Sequence, residues 1–218
     1  AVYIGAKRYS ARASAQNFDK QELEKAVYYC HARGVKVYLA LNTLLTDDEM
    51  DDAAETVKEA CSLPVDAVIV QDIGLASFIR SACPSLRLHG STQMSIHTPQ
   101  GAKELYRQGF SRVVLARELS KEEIAEIAES CPIELEVFVH GALCMSVSGQ
   151  CYFSSLLGGR SGNRGQCAQP CRLPFSVQGG TGHDLSLKDL SLLHHLGGLR
   201  GLGVHSFKIE GRMKRPEY

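Results

Sequence analysis

Four cysteines close together in the sequence are the residues best suited to chemistry. Cys144, Cys151, Cys167 and Cys171 follow the spacing C-x6-C-x15-C-x3-C in a glycine-rich stretch. Four thiolates can bind a structural zinc ion, ligate an iron–sulfur cluster or form disulfides. Structural zinc usually takes two tight C-x2-4-C pairs, and only Cys167 and Cys171 fit that spacing. We favour a four-iron cluster, with zinc as the alternative, because the wide gaps suit a larger group.

The other cysteines, Cys30, Cys61, Cys83 and Cys131, occur singly near the ends of helix-like segments. Residues of this type in such places are most often small buried side chains. A chain of 218 residues with 44% apolar residues does not need disulfides to hold a core together. Metal or redox chemistry is therefore expected at the clustered cysteines and not at these four.

Basic residues accompany the cluster. No Asp or Glu occurs from Val137 to His183, whereas Arg160, Arg164 and Arg172 do. The later stretch KIEGRMKRP adds four more, Lys208, Arg212, Lys214 and Arg215. Because the whole chain has a formal net charge of zero, this basic character is local. It indicates either an anionic partner, a phosphate backbone or a small molecule rich in carboxylates, or a solvated basic loop.

Short β-branched runs that alternate with amphipathic stretches predict the elements that position these residues. One stretch opens at Asp19 with Glu22 three residues later, which is a capping box, and stops at Gly34. A β-α repeat predicts a parallel sheet. Its regularity favours a TIM-like (β/α)8 barrel that lacks its first strand over a doubly wound open sheet. The seven predicted strands are Ala1–Gly5, Val35–Asn42, Ala67–Asp72, Leu86–Ser91, Arg112–Arg117, Leu135–His140 and Ser206–Glu210.

Polar side chains follow nearly every predicted strand, and in a barrel these ends converge on one mouth. They are Lys7, Arg8, Arg12, Asn42, Gln71, Asp72, His89, Ser91, Gln93, Arg117, Glu118, His140, Lys208, Glu210 and Arg212. Residues 141–185, which hold the cysteines, form an insertion at this mouth within a single domain of residues 1–218. The second half of the interval between the strands Leu135–His140 and Ser206–Glu210 predicts a helix at about Leu187–Leu196.

Composition and length narrow the class of protein. A charged content of 22% is ordinary for a globular protein. No run of about 18 apolar residues predicts a transmembrane helix, and no signal-peptide pattern is present. We expect cytoplasmic residence and no membrane partner. The chain opens on a strand without a methionine, so we also expect an N-terminal part to precede it.

The segment EVFVHGALCMSVSGQCYFS, residues 136–154, closely resembles the signature of peptidase family U-32, the collagenase-like proteins. The shared pattern is E-x-F-x-x-G-small-apolar-C-x4-G-x-C-x-aliphatic-S, with Phe153 at the aliphatic position. NRGQCAQPCR resembles the family's second cysteine pair, and FKIEGRMKRPEY its final strand region. AVYIGAKRYSARASAQNF resembles its second strand and loop. The resemblance covers essentially all 218 residues.

The resemblance implies ring hydroxylation without molecular oxygen by a protein that holds a 4Fe-4S cluster on the four clustered cysteines. RNA-modifying members depend on prephenate, so prephenate is implied as a co-substrate and ribosomal or transfer RNA as a partner. The segments NRGQCAQPCR and KIEGRMKRPEY are most similar to those of the branch that hydroxylates a ribosomal RNA cytidine.

The family name implies a collagenase-like peptidase instead, and a His140–Cys144 dyad would serve one. The sequence holds no H-E-x-x-H, nucleophile elbow or triad. A zinc-stapled binding module is the second alternative.

Roles for individual residues follow from position. Because a base must leave its stack to be modified, a pocket with phosphate contacts is expected. We predict His140, Glu118 and Glu210 as acid–base groups. Substrate contacts are predicted for Arg160, Arg164, Arg172, Lys208, Arg212 and Gln93, because guanidinium groups suit both phosphates and carboxylates.

Overall fold

A computed structural model describes residues 1–11, 17–176, 178–180, 182–211, 215 and 217. The strands are β1 Val2–Gly5, β2 Val37–Leu41, β3 Ala67–Val70, β4 Leu88–Gly90, β5 Arg112–Val114, β6 Glu134–Gly141, β7 Leu190–Ser191 and β8 Val204–Ile209. The α-helices are α1 Lys20–His31, α2 Met50–Ser62, α3 Ile73–Ala82, α4 Pro99–Arg107, α5 Lys121–Ser130, α6 Phe153–Gly158 and α7 Leu196–Gly201. Four 3-10 helices join them, Asp47–Glu49, Thr92–Met94, Pro170–Arg172 and Leu193–His195.

Strands β1 to β6 pair in chain order and parallel, and β8 pairs parallel with β6. The two outer strands of this parallel set approach each other, because Lys208 Nζ on β8 lies 4.3 Å from the ring centroid of Tyr3 on β1. A flat or doubly wound sheet would keep them apart, so the sheet is curled. No backbone pairing joins β1 to β8 in the described ranges. The prediction of an incomplete TIM-like barrel is confirmed.

The helices cover the outside of this half-barrel. Alternate residues of each strand face them and form the main core, as Leu39, Val70 and Leu135 do. The other alternate residues face the barrel interior, which contains Tyr3, Tyr38, Ala67 and Ile69. The Asp19–Glu22 capping box is confirmed at the start of α1. Within the described part of the chain, no helix is long and apolar enough to cross a membrane.

The helix predicted at Leu187–Leu196 is wrong. In its place Leu190 and Ser191 form β7, which runs antiparallel to the end of β6, with His140 opposite Ser191 and Gly141 opposite Leu190. The helix begins only at Leu196 and has six residues. Pairing with β6 satisfies the backbone groups at Leu190, and this long-range gain outweighs the local helical pattern.

Candidate active site at the barrel mouth

The Cys-rich segment, defined here as residues 142–189 between β6 and β7, lies across the carboxyl ends of the strands. Glu118, after β5, accepts hydrogen bonds from the Ser148 amide (2.7 Å) and hydroxyl (2.9 Å). Asn163 Nδ2 donates to Gln71 Oε1 after β3 at 2.6 Å, and Asn163 Oδ1 accepts from the Leu44 amide at 3.0 Å. These contacts attach the segment to three strand ends.

The four clustered cysteines lie near one another in this segment. The Cys144 and Cys151 thiols hydrogen-bond, and Cys171 interacts electrostatically with both Cys151 and Cys167. Burial raises the pKa of Cys144 and of Cys171 above the ordinary thiol value, and the neighbouring thiols add to this effect. Mutual repulsion of this kind is relieved when thiolates bind a metal centre.

Whether these residues fit a cluster depends on donor chemistry and spacing. The Ser146 amide donates to Cys144, and the Gln169 amide donates to Cys167 Sγ at 3.3 Å. Amide hydrogen bonds to cysteine sulfur are a feature of iron–sulfur sites. Among the described residues, no three Cys, His, Asp or Glu side chains are grouped tightly enough to hold a metal ion. The four thiols and two amide donors are of the type that binds an iron–sulfur cluster, and the fit is one of donor chemistry only.

Gly149 allows the Cys-rich segment to lie close to the barrel. Its φ is +81°, and a Cβ there would lie 2.5 Å from the carbonyl oxygen of Gln93. That same carbonyl accepts a hydrogen bond from Gln71 Nε2 at 3.2 Å. Gln93, predicted to bind substrate, therefore supports the segment through its backbone.

The predicted substrate-binding arginines lie in different environments. Arg164 forms a bidentate pair with Glu49 at 2.5 and 2.7 Å, and this pair lowers the pKa of Glu49 to about 2. Arg172 donates to the Leu143 carbonyl at 3.0 Å and to Ser186 at 2.9 Å, which braces the cysteine loop. Arg160 is exposed, with Nε donating to the Gln166 carbonyl at 3.0 Å. Arg212, like Arg12, lies outside the described residues.

Two predicted acid–base residues come together at the ends of β6 and β8. The Glu210 amide donates to the His140 carbonyl at 3.0 Å, and the Glu210 carboxylate accepts from the Tyr3 hydroxyl at 2.7 Å. Glu118, the third, binds Ser148 in the Cys-rich segment. Lys208 is buried below them, with Nζ 2.9 Å from Glu136 Oε1.

Sequence reasoning missed the charged network inside the barrel. Glu136 lies between Lys208 and Arg112, whose NH1 is 3.2 Å from Glu136 Oε2, and Arg112 also pairs with Glu134 at 2.7 Å. The signal was present in ELEVFVHG, where polar residues at alternate positions of β6 share one face. The sequence also missed a pocket of about 410 Å³ at the mouth, beside Arg164.

Comparisons with known proteins agree with this architecture. The 23S rRNA 5-hydroxycytidine C2501 synthase of Escherichia coli K12 is 43% identical over 225 residues, and the alignment covers 100% of this chain. The tRNA hydroxylation protein P1 of Bacillus subtilis 168 is 34% identical over 231 residues, again across 100% of this chain. The chain spans 34% and 55% of these two relatives' own lengths.

The solved structure of the U32 peptidase Mk0906 is similar in fold, with a TM-score of 0.65 at 18% identity. The match covers 96% of this chain and 83% of that one. The family model described as Peptidase family U32 matches residues 1–218. The chain therefore belongs to peptidase family U32.

Proposed function

We propose that this chain hydroxylates a base of RNA, with a ribosomal RNA cytidine favoured, using a 4Fe-4S cluster bound by Cys144, Cys151, Cys167 and Cys171. The observation that carries the proposal is that four cysteines lie in one segment attached across the mouth of a half-barrel. Two relatives aligned over the whole chain, named for hydroxylating ribosomal and transfer RNA, support the choice of substrate.

The chemistry explains the need for a redox group. Replacing a ring C–H by C–OH removes two electrons from the base, and an iron–sulfur cluster supplies electron transfer when bound. The proposed reaction uses no molecular oxygen: water supplies the hydroxyl oxygen, and the two electrons and two protons released pass to an acceptor from outside the chain, with prephenate as the co-substrate. The guanidinium group suits the carboxylates of such a molecule, and among the predicted arginines Arg160 forms no ion pair in the described contacts.

The chain's own residues bind the RNA and move protons. In this proposal His140 and Glu210, whose backbones hydrogen-bond at the ends of β6 and β8, accept the proton released from the ring. The Tyr3 hydroxyl orients the Glu210 carboxylate at 2.7 Å. Arg160, exposed within residues 137–183, which contain no Asp or Glu, contacts a phosphate in this proposal.

Anaerobic reconstitution tests this function. The wild-type chain, Cys144→Ser and Cys171→Ser are to be reconstituted with iron and sulfide and assayed for metal, sulfide and visible absorption. Unmodified ribosomal RNA transcript, supplied with prephenate, is then digested and its nucleosides are measured by mass spectrometry. We expect about four irons and four sulfides in the wild type. Each variant should lose iron and 5-hydroxycytidine together.

Cys61→Ser is the matched control, because Cys61 is an exposed thiol at the end of α2, outside the Cys-rich segment. It should keep both iron and activity. Hydroxylation by an iron-free variant would overturn the proposal. One zinc ion per chain without turnover would indicate a binding module, and peptide cleavage that survives removal of iron would indicate a peptidase.

A further inference from the structure

Ser148 lies near the middle of the loop between the first pair of clustered cysteines, Cys144 and Cys151. The residue is 4% exposed, although Val147 before it is exposed and Gly149 after it is half-buried. A buried polar residue at the centre of a loop needs partners for its polar groups, because unpaired ones are costly. The partners of Ser148 therefore show what holds this loop.

Each polar group of Ser148 has a partner on the barrel. Its amide and its hydroxyl both donate to Glu118 Oε1, at 2.7 and 2.9 Å, and the hydroxyl accepts from the Arg117 amide at 3.3 Å. Its carbonyl accepts from the Ser95 hydroxyl. Arg117 and Glu118 follow β5, and Ser95 follows the 3-10 helix after β4. Four hydrogen bonds thus attach one residue of the loop to two strand ends.

The same two strand ends hold the loop on either side of Ser148. Arg117 Nη1 donates to the Ala142 carbonyl at 2.7 Å, two residues ahead of the first cysteine. Gln150 Nε2, next to the second cysteine, donates to the Ser95 hydroxyl at 3.3 Å. Ser95 has a φ of +54°, which is uncommon for a residue other than glycine. The barrel therefore contacts the loop before, between and beside its two cysteines.

The second pair of clustered cysteines, Cys167 and Cys171, is held differently. The Ala168 amide donates to the Ser154 hydroxyl of α6 at 2.8 Å, and both residues belong to the Cys-rich segment itself. The contacts of Ser148 with the barrel therefore act on the first pair. This asymmetry allows the two pairs to be compared within one chain.

Ligands on a loop bind a metal centre more tightly when the loop is already ordered, because binding then costs less conformational entropy. Removing a group that orients metal ligands typically weakens metal binding about 10–100-fold. We propose that Ser148 and Glu118 are positioning residues, which hold Cys144 and Cys151 in place to bind the cluster. Glu118 then acts as a fixed hydrogen-bond acceptor and not as the acid–base group predicted from its position. The inference rests on the proposed function, since the cluster is the group that these cysteines bind there.

Thiol reactivity of the metal-free full chain tests this role without turnover. The reduced wild type and Ser148→Ala are alkylated with N-ethylmaleimide in the absence of oxygen, and each cysteine is quantified by peptide mass spectrometry. Ser148→Ala should raise the alkylation rate of Cys151 roughly fivefold or more, the effect of at least one hydrogen bond. Cys171, which is half-buried like Cys151, should keep its wild-type rate.

Iron release from the reconstituted chain is the second readout. Ser148→Ala and Glu118→Ala should lose iron to a ferrous chelator about tenfold faster than the wild type. Glu118→Gln keeps an Oε1 atom that can accept both hydrogen bonds from Ser148, so it should lose iron more slowly than Glu118→Ala. If Glu118 acted only as an acid–base group, both Glu118 variants would keep iron as the wild type does, and the inference would be wrong.

Ser111→Ala is the matched control at the opposite end of β5. The Ser111 hydroxyl donates to the Leu88 carbonyl at 3.1 Å and accepts from Arg87 Nε at 3.3 Å, so this substitution also removes two hydrogen bonds of a hydroxyl. It should lower the urea midpoint of unfolding and leave thiol reactivity and iron release unchanged.

Two results for Ser148→Ala would overturn the inference: an equal rise in alkylation at Cys151 and Cys171, or wild-type rates of both alkylation and iron release. If Ser148→Ala does not fold, Glu118→Ala takes its place in the alkylation test, because it removes the same hydrogen bonds from the barrel side.

The two proposals fail in different ways. If the wild type binds iron and hydroxylates RNA while Ser148→Ala keeps wild-type thiol reactivity and iron release, the positioning role is wrong and the proposed function stands. If Ser148→Ala exposes Cys151 selectively in a chain that binds no iron and modifies no RNA, the hold of Ser148 on the first pair stands and the proposed function is wrong.

Discussion

His89 on β4 is a buried titratable side chain of the barrel interior, with 2% exposure. Its ring meets Tyr38 edge-on at a centroid distance of 4.8 Å. Burial is the main cause that lowers the pKa of His89 to about 3; the charges of Arg112 and Arg87 contribute to this net value, and those of Glu136 and Glu134 oppose it. His89 is therefore neutral in the folded protein at physiological pH.

This burial makes stability depend on pH. Between its ordinary pKa of about 6.5 and the lowered value, the unfolded chain binds a proton at His89 that the folded chain does not. Stability is therefore lost as pH falls through this window, by up to about 1.4 kcal/mol per pH unit. We expect the free energy of urea unfolding to fall more steeply from pH 6 to pH 4 in the wild type than in His89→Gln.

His183→Gln, a substitution of an exposed histidine in the Cys-rich segment, should keep the wild-type slope. Equal slopes for the wild type and His89→Gln would show that His89 is protonated in the folded state. The sequence placed His89 among the polar residues of the mouth. It could not show that the side chain points inward against Tyr38, because that contact joins β4 to β2.

At the scale of elements, the backbone path of the Cys-rich segment depends on glycine at particular positions. Gly149 and Gly159 both have positive φ, +81° and +65°. A Cβ at Gly149 would collide with the backbone of Gln93, whereas a Cβ at Gly159, the C-cap of α6, meets nothing within 4 Å. The two positions therefore separate backbone strain from close packing.

Substitution by alanine should distinguish these two effects. Gly159→Ala carries the conformational cost alone, about 1 kcal/mol. Gly149→Ala adds a clash with rigid backbone, which should bring the loss to about 3 kcal/mol and displace the loop between Cys144 and Cys151. Urea unfolding and iron retention after anaerobic reconstitution measure both effects. Equal losses of stability and of iron in the two variants would contradict close packing at Gln93.

The elements differ in how far sequence predicts them. The ends of the amphipathic helices can be predicted from the local sequence, because helix caps are local interactions. The Asp19–Glu22 capping box at the start of α1 is an example. β7 has two residues and exists only through pairing with β6, fifty positions earlier, so its own sequence carries no signal. The bidentate Arg164–Glu49 contact that places the pocket wall is equally non-local.

At the scale of the whole molecule, buried charges connect the two outer strands of the parallel sheet. Lys208 on β8 binds Glu136 on β6 and lies over the ring of Tyr3 on β1. Glu136 also pairs with Arg112 on β5. Glu136 is the first residue of the U-32 signature, and its ion pairs with Lys208 and Arg112 give it a structural role.

The network predicts an asymmetric response to substitution. The side chains of Lys208 and Glu136 are 9% and 6% exposed, so Lys208→Met removes a buried cation and leaves Glu136 with the more distant Arg112. We expect a loss of about 3 kcal/mol in the free energy of unfolding, because the buried carboxylate loses the nearer of these two cations. The double variant Lys208→Met/Glu136→Gln removes both charges and should recover most of that loss.

Urea unfolding at pH 7 measures the stability of the wild type and both variants. Lys58→Met is the control, because the exposed Lys58 amine pairs only with Glu55 on the same helix in the described contacts. If the double variant were less stable than Lys208→Met, Glu136 would be held by Arg112 and by the barrel itself, and Lys208 would contribute through its contacts with Tyr3 and Phe138.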